Sequence, residues 1–122
     1  MTKLPIKILY VEDHKETSIS LYNILSKFCE KVVLANNGAN ALRTFEANHN
    51  FDLVITDVNM PIMDGLDLVK EIRELDKDIQ IYVTSAYKDT QEPNLKNYNV
   101  NRFFPKPTDI ETLLKYIKED FS

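Results

Sequence analysis

Hydrophobic positions along the chain alternate between short unbroken runs and stripes with helical spacing. Ile6–Val11 is a run of β-branched and aliphatic residues, which predicts a strand buried on both faces. Leu21, Ile24, Leu25 and Phe28 follow at i, i+3, i+4 and i+7, one apolar stripe of a helix. Val32–Ala35 predicts a second strand, and Gly38–Ala47 a helix with Ala41, Leu42 and Phe45 on one side. Leu53–Thr56 predicts a third strand that delivers Asp57 at its end. The loop Val58–Asp64 carries Pro61 and runs into Gly65, punctuation between elements. Leu68, Val69, Ile72 and Leu75 mark the next helix, Ile79–Thr84 a fourth strand and Arg102–Pro105 a short fifth. Ile110, Leu113, Leu114 and Ile117 form the stripe of a last helix, before which Thr108 and Glu111 suit a capping box.

The weakest pattern lies in Lys88–Asn101, with Pro93, four asparagines and only Leu95, Tyr98 and Val100 as its main apolar residues. It reads as a short, marginal helix. Five strands alternating with five helices imply an α/β fold, parallel strands and right-handed crossovers, a sheet sandwiched between helices. In open sheets of this kind ligands bind beyond the carboxyl ends of the strands, where strand order reverses.

Length and composition narrow the function. The 122 residues fit one domain over 1–122, with 43% hydrophobic and 28% charged residues as in ordinary globular proteins. No apolar run approaches the roughly 20 residues of a membrane span, and Met1–Pro5 lacks the apolar core of a secretory signal. The lone cysteine, Cys29, fits a reducing cytoplasm and reads as a small apolar filler. Net charge is −4, without a basic cluster, which argues against nucleic-acid binding by this domain and favours cations or protein.

The strand ends bring the chemistry together. They carry Glu12 and Asp13, then Asp57, then Thr84 and Ser85, then Lys106. Carboxylates gathered on one rim repel, and Mg²⁺ is the natural counter-ion for such oxygen ligands. Lys106 offers a point charge for an incoming phosphoryl oxygen. A metal and a lysine opposite a carboxylate suit phosphoryl transfer, with Asp57 as nucleophile forming an aspartyl phosphate.

These residues, with Met60-Pro61-Ile62-Met63-Asp64-Gly65, Ser85-Ala86 and Lys106-Pro107, resemble a bacterial response-regulator receiver domain of the chemotaxis-regulator type along essentially the whole chain. The resemblance implies a flavodoxin-like three-layer sandwich with strand order 2-1-3-4-5. It implies a phosphoacceptor signalling domain of a two-component system. Asp57 would take phosphate from a sensor histidine kinase or histidine phosphotransfer protein, with Mg²⁺ required. Asp13 and Asp57 would ligate the metal by side chains, Asn59 by its backbone carbonyl, and Glu12 largely through a bound water. Lys106 would pair with the phosphoryl oxygens. Ser85 would hydrogen-bond the phosphoryl group and pass the signal to Phe103, at the aromatic switch position. Asn59 and Tyr87 would flank the path of attacking water and tune phosphoryl lifetime, with bulky Tyr87 as a partial shield. The Lys106–Pro107 bond is often cis in the family. Such a domain would catalyse only its own phosphorylation and slow dephosphorylation. The altered surface would be Lys88–Asn101, strand five and the last helix, acting on an output domain or a partner protein, with dimerisation through Lys88–Ser122 left open.

Departures from the family pattern are small. Glu12-Asp13 replaces the frequent Asp-Asp, Ser85 a common threonine, and Phe103 a common tyrosine. The Gly-Ala usual before strand five is missing, with Tyr98-Asn99-Val100 nearby, which leaves the entry to that strand open. His14 and His49 read as exposed and uninvolved. A phosphatase with an aspartyl nucleophile needs a second aspartate where Asn59 stands, and a mononucleotide module needs a phosphate-cradling loop where Glu12 and Asp13 stand. A degenerate receiver acting only by contact conflicts with the full set of site side chains. A complete single-domain regulator and one domain of a longer chain both fit.

Overall fold

The computed structural model describes residues 3–48, 50–86 and 98–122. The described strands are β1 (Leu4–Val11), β2 (Cys29–Ala35), β3 (Leu53–Asp57), β4 (Gln80–Ser85) and β5 (Arg102–Pro105). They form one parallel sheet in the order β2-β1-β3-β4-β5. The described helices are α1 (Lys15–Phe28), α2 (Gly38–Ala47), α3 (Gly65–Leu75) and α4 (Ile110–Phe121). The helix expected in Lys88–Asn101 falls mostly outside the described residues, as do Tyr87 and His49.

Side chains alternate across each strand, so the sheet feeds two cores. Leu9, Val11, Val54, Ile81 and Val83 face Ala41 and Phe45 of α2 and Leu68, Val69 and Ile72 of α3. Ile8, Tyr10, Leu53, Ile55 and Tyr82 pack with Leu21 and Leu25 of α1 and Leu113 and Ile117 of α4. The result is the expected flavodoxin-like sandwich. Cys29 is fully buried at the head of β2, as a small apolar filler should be.

Local differences have physical reasons. β1 and β2 start earlier than the hydrophobic runs because Leu4 already pairs with Cys29. β4 sits one residue later than expected because Ser85 still pairs with Pro105 of β5. Leu75, expected in the α3 stripe, is 44% exposed at the end of that helix. The expected Thr108–Glu111 capping box does not form. Asp109 caps α4 instead, its carboxylate accepting from the backbone N–H of Glu111 at 3.1 Å and from the Thr112 hydroxyl at 3.0 Å. A carboxylate at the cap satisfies the orphan donors of the first turn directly.

The missing Gly-Ala before β5 is replaced by other means. Asn99 adopts a left-handed φ of 56°, which asparagine tolerates better than most residues. Arg73 of α3 donates to Asn99 O at 3.1 and 2.9 Å, to Ile79 O at 2.7 Å and to Asn101 Oδ1 at 3.0 Å. Asn101 in turn bonds Ile81 through both its side chain and its backbone N–H, at 2.8 and 2.9 Å. One guanidinium therefore joins α3, the start of β4 and the entry to β5. Arg73→Ala should cost about 2 kcal/mol, since several carbonyls lose a charged donor together, read as a lower midpoint in urea unfolding.

Candidate functional site

Parallel strands of this sheet end at one rim, and the pairing levels their ends. Val11 pairs with Thr56, Asp57 with Thr84 and Ser85 with Pro105. Glu12 and Asp13 follow β1, Asp57 closes β3, Ser85 closes β4 and Lys106 follows β5. Glu12 is 2% exposed and Asp57 6%, whereas Asp13 is exposed.

Lys106 Nζ lies 2.7 Å from Glu12 Oε1 and 3.1 Å from Asp57 Oδ2, so one ammonium bridges two buried carboxylates. The other oxygen of Glu12 accepts the His14 backbone N–H at 3.1 Å. Glu12, Asp13 and Asp57 each offer a carboxylate oxygen, all within 4.8 Å of one another. Burial raises the carboxyl pKa of Asp57; Lys106 and the backbone N–H groups of Val58 and Asn59 oppose the rise. Glu12 is raised for the same first reason, again opposed by Lys106, with the Asp57 charge adding to the rise. Burial works to lower Lys106, but Glu12 and Asp57 outweigh it and leave it raised.

The donor set fits a hard divalent cation. Three carboxylates can each offer an oxygen, the two buried ones share the Lys106 ammonium, and Asp13 is exposed beside them. A cation there competes with protons that Asp57 and Glu12 hold more tightly than exposed carboxylates do. Mg²⁺ affinity, followed by calorimetry, should therefore start to fall on acidification at a higher pH than an ordinary carboxylate site would show.

Other expected residues fall into place unequally. Ser85 is fully buried, and its carbonyl accepts the Lys106 backbone N–H at 2.8 Å. Phe103 pairs with Val83 and packs half-buried against the α2/α3-side core. Asn59 is exposed beside Asp57. Lys106–Pro107 is cis. His14 is exposed as expected but not idle: its ring accepts from Thr17 N–H at 3.3 Å and caps α1.

Two neighbours of the rim escaped the sequence reading. Tyr10 is buried beneath it and kept protonated by that burial, then by the charges of Glu12 and Asp57. Gly65 presses on Asp57 itself, for a Cβ there would stand 2.0 Å from the Asp57 carbonyl oxygen. Only the Asp57–Gly65 spacing hinted at this approach. Glu12 and Lys106 also line a groove of about 640 Å³, together with Tyr10, Leu21, Ile24 and Ile110.

The response regulator receiver domain model matches residues 8–118. This chain belongs to the response regulator receiver family. The receiver is 34% identical to the response regulator MprA of Mycobacterium sp. over 113 residues, 91% of this chain and 48% of MprA. It is 32% identical to the autoinducer 1 sensor kinase/phosphatase LuxN of Vibrio harveyi over 87% of this chain and 12% of LuxN. Among solved structures, response regulator TrrA of Thermotoga maritima, in complex with Mg²⁺-BeF, shares 30% identity at a TM-score of 0.82, covering 93% and 97% of the two chains. The receiver thus spans about half of MprA and a small part of LuxN, and it is a signalling domain of two-component systems. No helix among its described residues is long and apolar enough to cross a membrane.

Proposed function

We propose that residues 1–122 form a receiver whose Asp57 accepts a phosphoryl group from the phosphohistidine of a sensor kinase or histidine phosphotransfer protein. One observation carries this reading: Asp57 is a buried carboxylate 3.1 Å from Lys106, with two further carboxylates close by. An Asp57 oxygen attacks phosphorus, the O–P bond forms, and the P–N bond breaks. The imidazole leaves with the electron pair and takes up a proton. Lys106, already at the carboxylate, is placed to hold the phosphoryl oxygens as they arrive.

Asp13 and Asp57 would hold Mg²⁺ by their side chains, Asn59 by its carbonyl, and Glu12 through water. The bound ion would offset the charge of the carboxylates and of the transferring group. TrrA with its Mg²⁺-BeF supports this, because beryllofluoride imitates a phosphoryl group. Ser85 and Phe103 would read out the change, while Asn59 and Tyr87 set phosphoryl lifetime. The chain would act by contact on an output domain or partner, in the cytoplasm, and not as an enzyme on outside substrates.

Incubation with acetyl phosphate and Mg²⁺ should give a single phosphoryl adduct, stable in acid and labile in base. Its absence, or its failure to depend on the divalent ion, would defeat the proposal.

A further inference from the structure

Ile62 is 84% exposed, far more than Ile19, Leu34 or Leu75, the other large apolar side chains at the surface among the described residues. Isolated exposed apolar residues are ordinary and need no account. Ile62 differs because its backbone is also left-handed, with φ 72°. That region is unfavourable for a β-branched residue, costing on the order of 1–2 kcal/mol. Neither burial nor conformation therefore explains an isoleucine here. Strain of this kind persists only where the surrounding structure holds it.

The surroundings do hold it. The Gly65 N–H bonds Val58 O at 2.8 Å, closing the loop that starts beside Asp57. The Met63 N–H bonds Pro61 O at 2.8 Å directly across Ile62. Met63 lies so close against Gly38 of α2 that a Cβ on Gly38 would stand 2.4 Å from its carbonyl. Asp64 then caps α3 by accepting the Asp67 N–H at 2.9 Å. The loop is braced on both sides, and Ile62 stands out from it as a fixed apolar knob.

We infer that Ile62 is a docking anchor for the protein that delivers phosphate to Asp57, inserting into an apolar depression next to the donor histidine. This rests on the phosphoacceptor reading above. Asp57 is 6% exposed, so a donor protein must close over the rim to reach it. A standard interface covers about 800 Å² per partner, a disc of about 16 Å radius. Gly65 lies against the Asp57 carbonyl, and the three residues back to Ile62 reach at most about 11 Å, short of that radius. Ile62 therefore lies inside any such footprint centred on Asp57. A small donor such as acetyl phosphate needs no contact with it.

The test compares Ile62→Ala and Ile62→Asn with the unaltered chain. Each is labelled by acetyl phosphate and, separately, by a prephosphorylated histidine phosphotransfer domain, chosen from a panel of such domains as the one that labels the unaltered chain fastest. Both variants should lose about ten-fold or more in transfer from the protein donor, as at an interface hot spot, while acetyl phosphate labelling stays unchanged. Ile62→Asn, which suits the left-handed backbone, should also unfold at a higher temperature than Ile62→Ala. Equal transfer from the protein donor would overturn the inference. So would a parallel loss with acetyl phosphate, which would place Ile62 in support of the site rather than of docking. Failure of acetyl phosphate to label even the unaltered chain would bring down the phosphoacceptor reading first, and this inference with it.

Discussion

Asp57→Asn should abolish the phosphoryl adduct and at the same time make the metal-free protein more stable at neutral pH. The first effect follows from chemistry, since an amide oxygen is a poor nucleophile and the amide cannot form the acyl phosphate. The second follows from burial. The Asp57 carboxyl has its ordinary pKa in the unfolded chain and a raised one in the fold. Stability from such a group is present below the unfolded value and is lost as pH rises through the folded one. At neutral pH the cost of burying the charge is therefore fully felt, and a neutral amide of nearly the same shape removes it. Lys106 keeps Glu12 as its partner at 2.7 Å. The gain should be about 1 kcal/mol, typical of sites where function opposes stability. It should shrink on acidification, as the native carboxyl becomes neutral too. Intact-mass measurement after acetyl phosphate treatment, and thermal unfolding in chelator across pH, read the two effects separately. A variant that still carries the adduct would move the acceptor elsewhere.

Gly65→Ala should be more damaging to the fold than any substitution at the rim. The added methyl would meet the Asp57 carbonyl oxygen at 2.0 Å, the Asp57 carbonyl carbon at 2.8 Å and Val58 Cα at 2.9 Å. All three are backbone atoms, so no side chain can swing aside. Either α3 retreats from the sheet or the end of β3 moves. Overpacking of this kind costs roughly 3 kcal/mol. Where the chain still folds, Asp57 is displaced from Lys106, and a shift near 1 Å costs about 100-fold in rate. Chemical denaturation and acetyl phosphate labelling of the folded fraction measure both. A stable variant that is labelled normally would show that the contact relaxes without reaching the site.

These two cases differ in how far each was legible in the amino-acid sequence. Asp57 was legible because a buried apolar run ends in a charged residue, and strand ends in this topology share a rim. The acids, Ser85 and Lys106 were legible on the same ground. Gly65 was not, because a close approach between backbones leaves no hydrophobic rhythm; it appears only as a glycine after a turn. Arg73 was missed because its partners are mainly carbonyl oxygens, which every residue has. The cap of α4 was misplaced by one residue because Thr108 and Asp109 are both good caps, and only the backbone decides between them. Ile62 entered only as one position of the Met60–Gly65 motif. Its significance lies in a dihedral angle, which composition does not encode.

β5 has only four residues at the margin of the sheet, yet it is tied at both ends. Asn101 N–H bonds Ile81 O at 2.9 Å before it, and Lys106 N–H bonds Ser85 O at 2.8 Å after it. A beam clamped at both supports cannot slide along its neighbour without breaking one of them. If Phe103 reads out the state of Asp57, as proposed above, it would do so by torsion, turning about its own Cα–Cβ bond while the backbone beneath stays still.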